Sequence, residues 1–328
     1  MLVNCLALLV AVALLAYGAD RFIVGAAGIS TRLRLPRLLT GVVIVSTATS
    51  APELLVSGVA AWQGRLGIAI GNALGSNIVN SSLVLGTTAL ILPIAVTSKT
   101  LAREYWVMLL AYLAFLVAVW DTQLARWEGG LVLACLAFLL WFISAAALRL
   151  RSGDELAHEL ERAAHRPALS LWGELFALAG GLIMLLIAAE LLVWSATRIA
   201  KTFGIGDLII GLTLAALGTS LPELAASLAS AFRNEVEIAI GNIIGSNIFN
   251  ILGVTGVTAI ISPGALEQAI LHRDFPVMLG LALLMGLFLF GIGKRRINRI
   301  EGGVLLSCFL AYQYWLYLSF RHGGALVP

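Results

Sequence analysis

Ten apolar stretches, most of them long enough to cross a bilayer, follow one another along the 328 residues, and the charges gather between them rather than within them. A hydrocarbon core about 30 Å thick needs roughly 20 apolar residues of helix. Backbone that crosses it must also satisfy its own hydrogen bonds. The chain is therefore expected to be an all-α polytopic membrane protein, with spans near 2–19, 38–62, 66–92, 104–120, 129–148, 172–195, 208–232, 236–261, 274–291 and 301–320. With 60% of residues apolar and 12% charged, no composition is left for a separate soluble domain. Cys5, Cys135 and Cys308 stand singly in apolar segments, without metal-like spacing or a pairing pattern. The first stretch lacks a basic leader and reads as a retained helix rather than a signal.

An internal repeat organises these spans. Residues 41–80 align with 211–250 without a gap, and 18 of the 40 positions are identical. Most of the matched residues are Gly, Ser, Thr, Asn, Pro and Glu, which shared hydrophobicity does not produce. The same offset of 170 pairs Asp20 with Glu190 and Arg103-Glu104 with Arg273-Asp274. The chain thus divides into a first five-helix repeat (1–148), a polar cytoplasmic linker (149–170) and a second five-helix repeat (171–328). Five spans per half is an odd number, so the second half must enter the membrane inverted. With the N-terminus outside, 15 of the 21 Lys and Arg face the cytoplasm, as the positive-inside rule requires. The expected location is the inner membrane.

Chemistry concentrates in the second and third spans of each half. Glu53 is the only charge between Arg37 and Arg65, and Glu223 the only one between Asp207 and Arg233. A charge at the bilayer centre costs about 2.5–3.5 kcal/mol on insertion scales and normally faces an ion or proton path. Pro52 and Pro222 each remove a backbone donor one residue before the glutamate, freeing a carbonyl one turn back. The third spans carry Gly71-Asn72, Gly75-Ser76-Asn77 and Asn80, repeated as Gly241-Asn242, Gly245-Ser246-Asn247 and Asn250. Amides are costly in lipid without partners, and the Gly-x-x-x-Gly spacing lets another helix approach closely. Each half therefore offers one carboxylate among neutral oxygens, with no His or Cys beside them. That donor set suits Ca²⁺, Mg²⁺ or Na⁺ rather than zinc or copper.

The paired motifs Ala48-Thr49-Ser50-Ala51-Pro52-Glu53 with Gly71-Asn72-Ala73-Leu74-Gly75-Ser76-Asn77, and Gly218-Thr219-Ser220-Leu221-Pro222-Glu223 with Gly241-Asn242-Ile243-Ile244-Gly245-Ser246-Asn247, resemble the two alpha repeats of the cation/calcium antiporter superfamily, in its prokaryotic sodium/calcium exchanger branch. The resemblance implies Na⁺/Ca²⁺ antiport by alternating access, in which the first and sixth helices slide against a core formed by the repeats. It implies that Glu53 and Glu223 coordinate Ca²⁺. Thr49, Ser50, Ser76, Asn80, Thr219, Ser220, Ser246 and Asn250 would complete the Na⁺ and Ca²⁺ subsites, with carbonyls near Ser46 and Ala216 as lesser contributors. Two departures stand out: Ala48 replaces the usual glycine, and Asn250 stands where some relatives carry an acid.

Other functions compete with this reading. A Ca²⁺/H⁺ exchanger, or an exchanger of another divalent cation such as Mg²⁺ or Mn²⁺, uses the same carboxylates. An intramembrane hydrolase would need a nucleophile and base within the membrane, and His158, His165, His272 and His322 all fall in loops or at ends. No enzyme activity, no cofactor and no nucleic-acid partner is therefore expected. The expected partners are the transported ions and the lipid bilayer.

Overall fold

The computed structural model describes residues 1–95, 101–149, 169–203, 216–292 and 296–321. Its helices are α1 (Leu2–Arg32), α2 (Arg37–Leu39), α3 (Ser46–Thr49), α4 (Ala51–Trp62), α5 (Leu66–Val79), α6 (Leu85–Ile91), α7 (Leu101–Ala118), α8 (Arg126–Arg149), α9 (Leu171–Thr202), α10 (Ala216–Gly218), α11 (Leu221–Phe232), α12 (Val236–Ile248), α13 (Thr255–Ile261), α14 (Phe275–Gly286) and α15 (Arg299–Arg321). Wider π-helical turns at Thr40–Val45, Asn80–Val84 and Phe249–Val254 join α2 to α3, α5 to α6, and α12 to α13. Among the described residues, seven helices are long and apolar enough to cross a membrane, and eight if the bent pair Arg37–Thr49 and Ala51–Trp62 is one span.

The expected spans fall on helices wherever they are described, with two corrections. The first and sixth helices run well past the predicted 2–19 and 172–195, to Arg32 and Thr202. Helix continues through Asp20 and Arg21 in the first and through Arg198 and Lys201 in the sixth because a few charges in a long helix do not end it; a turn residue or a proline does. Span 38–62 is not one straight helix but bends by 43° between Thr49 and Ala51, where Pro52 sits in the first turn of α4. Span 208–232 is described only from Ala216, and the predicted linker lies almost wholly outside the described residues.

The repeat is visible in local backbone. Gly64 has φ +72° and its counterpart Asn234 has φ +58°, each in the turn between the second and third spans of its half. Gly and Asn are the residues that enter this left-handed region most readily. Strand Ile94–Ala95 pairs antiparallel with Arg296–Ile297, and strand Gln123–Leu124 with Gly264–Ala265. Each ribbon joins one half of the chain to the other. Helix α7 separates Ala95 from Gln123, so the two ribbons lie at its opposite ends.

Burial sorts the helices into a centre and a periphery. In Val236–Ile261 and Leu66–Ile91, 83% and 72% of the apolar window is buried, against 17% in α1 and 22% in α9. The long outer helices present Leu9, Trp172 and Phe176 outward and pack against each other backbone to backbone. A Cβ on Gly25 would stand 2.7 Å from the Glu174 carbonyl oxygen, and one on Gly181 2.9 Å from that of Gly18. Three ion pairs tie the halves together: Arg32 to Glu174 at 2.7 Å, Arg233 to Asp20 at 2.6 Å and Arg37 to Glu235 at 3.4 Å. The neighbouring pairs Arg103–Glu104 and Arg273–Asp274 each close on themselves, and Tyr312 donates to Asp274 at 2.8 Å.

The glycine contacts make a stability prediction. Overpacking a tight contact costs about 1–3 kcal/mol, so Gly25→Leu and Gly181→Leu are each expected to lower the melting temperature of the purified protein. Gly180→Leu, where a Cβ meets nothing within 4 Å, is the control and leaves it unchanged. If Gly25→Leu melts like wild type, α1 and α9 are not packed as described.

Candidate functional site

Both glutamates begin a helix. Glu53 lies in the first turn of α4 and Glu223 in the first turn of α11, each just after the proline. A helix N-terminus carries partial positive charge from its unpaired N–H groups, which favours a carboxylate in an otherwise apolar core. Glu53 and Glu223 are both fully buried, and each is close enough to the other for their charges to interact.

Their partners come from the opposite half. Ser50 Oγ donates to Glu223 Oε1 at 3.0 Å, and Ser220 Oγ donates to Glu53 Oε1 at 3.2 Å. The hydroxyls of Ser76 and Thr219 also stand close enough to Glu53 to act on its carboxylate. Thr49 Oγ1 lies 3.1 Å from Asn242 Oδ1 and 3.3 Å from the Ser46 carbonyl, two acceptors for its one proton, the amide oxygen being the nearer. The Ser46 carbonyl also accepts the Ser50 N–H at 2.9 Å.

The remaining candidates are buried and unsatisfied. Among the described residues, Glu53 Oε2, Glu223 Oε2, Ser76 Oγ, Ser246 Oγ and Thr219 Oγ1 have no hydrogen-bond partner, nor does either end of the Asn80 and Asn250 amides. Leaving a buried polar atom unpaired costs about 1–3 kcal/mol, more for a charged one. Apart from Thr219, which is half-buried, these residues are 2% exposed or less. The π-helical turn beginning at Asn80 and the one containing Asn250 mark both asparagines, and such wide turns recur at functional sites. Two carboxylates and a set of buried neutral oxygens are the donor types that a hard cation takes.

The close approach expected of the glycine pairs is realised at Gly241 and Gly245, whose backbones abut the carbonyls of Leu38 and Val42. At Gly71 and Gly75 a Cβ would meet nothing within 4 Å among the described residues. Asn77 and Asn247 form a second symmetric pair: Asn77 Nδ2 donates to the Asn247 carbonyl at 3.0 Å, and Asn247 Nδ2 to Ser81 Oγ at 2.9 Å. Each amide also reaches a methionine sulfur, Met278 or Met108, at 3.6 Å. Sequence reasoning missed Met108, Met278 and Ser81. The methionines stand 170 apart, which is the signal that could have flagged them.

Comparison with known proteins follows the same outline. A family model described as sodium/calcium exchanger protein matches residues 3–145 and 174–318. The CaxA protein of Alkalimonas amylolytica is 46% identical over 97% of this chain and 100% of its own length. The sodium/calcium exchanger MaX1 of Methanosarcina acetivorans is 30% identical over 94% and 97%. The solved structure of the sodium-calcium exchanger NCX_Mj, soaked with 2.5 mM Na⁺ and 0.1 mM Ca²⁺, superposes with a TM-score of 0.79 at 32% identity, covering 95% of this chain and 97% of that one.

Proposed function

Because the chain belongs to the prokaryotic sodium/calcium exchanger branch of the cation/calcium antiporter superfamily, we propose that it exchanges Na⁺ for Ca²⁺ by alternating access to one cation site between two inverted five-helix halves. It is a multi-pass membrane protein of an exchanger family. The finer reading places Glu53 and Glu223 on Ca²⁺, with Thr49, Ser50, Ser76, Asn80, Thr219, Ser220, Ser246 and Asn250 supplying neutral oxygens.

One observation carries this reading: the unpartnered oxygens around the two carboxylates belong to the residues the motifs single out. Two carboxylates neutralise one divalent cation. The serines that bridge to the opposite glutamate make the site dependent on how the halves sit against each other. Movement of one half against the other then alters the site itself, which alternating access requires. The weakly buried α1 and α9 are suited to slide against the buried centre.

Ca²⁺ uptake into proteoliposomes tests the function. Uptake is expected when Na⁺ is loaded inside and absent when it is replaced by choline; uptake indifferent to Na⁺ would reject sodium coupling. The layout has its own test, since inversion sends equivalent turns to opposite sides. In a background without Cys5, Cys135 and Cys308, Gln63→Cys is expected to react with an impermeant thiol reagent only from outside, and Asn234→Cys only from the cytoplasm. Reaction of both from one side would show that the halves are not inverted.

A further inference from the structure

The amides of Asn72 and Asn242 perform one task identically and another differently. Asn72 Nδ2 donates to the Glu53 carbonyl at 3.3 Å and to Ser57 Oγ at 3.0 Å. Asn242 Nδ2 donates to the Glu223 carbonyl at 3.3 Å and to Ser227 Oγ at 3.0 Å. Each amide thus pins the helical turn that carries a carboxylate to the following span. Their oxygens part company. Asn242 Oδ1 accepts the Thr49 hydroxyl from the other half at 3.1 Å. The equivalent bond would join Thr219 to Asn72, yet Thr219 Oγ1 is buried and without a partner.

The surroundings differ in the same sense. Asn242 is fully buried beside the tight backbone contact of Gly241 and Gly245 with the second span. Asn72 is only half-buried, and among the described residues nothing stands within 4 Å of a Cβ at Gly71 or Gly75. Two copies of one motif therefore hold their threonine differently: Thr49 is bonded to Asn242, and Thr219 is not bonded to Asn72.

A hydroxyl has one proton and two acceptor lone pairs. When the proton goes to an amide oxygen, both lone pairs remain for a cation, and the oxygen becomes a better donor through polarisation. We propose that Asn72 and Asn242 are positioning residues of the cation site that take the threonine of the opposite half in turn: Thr49 on Asn242 in the state described here, and Thr219 on Asn72 when access is reversed. Each bond sets a threonine oxygen as a cation ligand. The proposal rests on the reading of this site as that of a cation exchanger.

Double-mutant cycles test it, read both as cation-dependent thermal stabilisation of purified protein and as Ca²⁺ flux. Thr49→Val and Asn242→Ala are each expected to weaken apparent cation affinity about fivefold, the worth of one hydrogen bond. The double mutant should be no weaker than the worse single mutant, because both remove the same bond. Thr49→Val with Asn72→Ala should instead multiply. Thr219→Val and Asn72→Ala should couple in flux, which samples both states. Asn242→Asp keeps an acceptor, so Thr49→Val should still weaken binding in that background. Asn242→Leu, which keeps the branched shape and heavy-atom count of asparagine, replaces alanine if the smaller residue loosens the fold.

Independent effects of Thr49→Val and Asn242→Ala would overturn the positioning role. Independent effects of Thr219→Val and Asn72→Ala in flux would overturn the exchange of threonines between states. A wild-type protein that neither Na⁺ nor Ca²⁺ stabilises would instead remove the cation-site reading on which the proposal rests, a result distinct from both.

Discussion

Replacing Glu53 or Glu223 by glutamine is expected to abolish Ca²⁺ transport while leaving the folded protein intact. Glutamine keeps the size of the side chain and an oxygen that can accept the Ser220 or Ser50 hydroxyl, which bond the two carboxylates at 3.2 and 3.0 Å. It removes one of the two negative charges that face a divalent ion. Interactions with a charged group contribute roughly 1.5–3 kcal/mol each, and about 1.4 kcal/mol is a factor of ten. The Ca²⁺ flux of either single mutant should therefore fall by about a hundredfold, and the double mutant should be silent. Size-exclusion profile and melting temperature check that the fold persists. Wild-type flux in both single mutants would remove these residues from the site.

The second large effect is the response to sodium and to voltage. A proton exchanger needs little more than a carboxylate that can take up a proton, whereas sodium needs a shell of several oxygens. Here the neutral oxygens of Ser76, Ser246, Thr219, Asn80 and Asn250 are buried and, among the described residues, unpartnered. Ca²⁺ uptake into sodium-loaded vesicles should therefore survive a protonophore. With two carboxylates in the site, exchange of more than two Na⁺ for one Ca²⁺ leaves a net charge to move. Each such charge is worth about 2.3 kcal/mol per 100 mV, or roughly fifty-fold in the equilibrium Ca²⁺ ratio. Each uptake cycle then carries net positive charge outward, so uptake should accelerate when valinomycin and potassium make the interior positive and slow when they make it negative. Uptake that ignores sodium and collapses with the pH gradient would transfer the assignment to a Ca²⁺/H⁺ exchanger. Voltage-independent uptake that still requires sodium would point to electroneutral exchange.

Much of the site was legible in the sequence because membrane chemistry leaves few explanations for a polar residue in an apolar span. Glu53, Ser76, Asn80 and their counterparts stood out on that ground, and all of them are buried. The partners were less legible. The motif contains Thr49, Ser50 and Glu53 on one helix, and spacing alone suggests that these hydroxyls serve the nearby carboxylate. The structure gives Ser50 to Glu223 and Ser220 to Glu53 instead, because the break before each proline separates the hydroxyls from the helix that carries their own glutamate.

The sequence by itself determined the class of fold, the repeat at an offset of 170 and the kind of ligand, since hydrophobic length, proline and oxygen donors act locally and carry their meaning within a short stretch. Only tertiary structure decided what crosses between the halves: the serine–glutamate bonds, the Thr49–Asn242 bond and the Asp20–Arg233 pair. The two copies of the motif carry the same residue types, so pairing within a half and pairing between halves look alike until distance separates them. The difference between the halves was also beyond the sequence. Thr49 and Thr219 are the same residue at equivalent positions, and among the described residues one is bonded while the other is not.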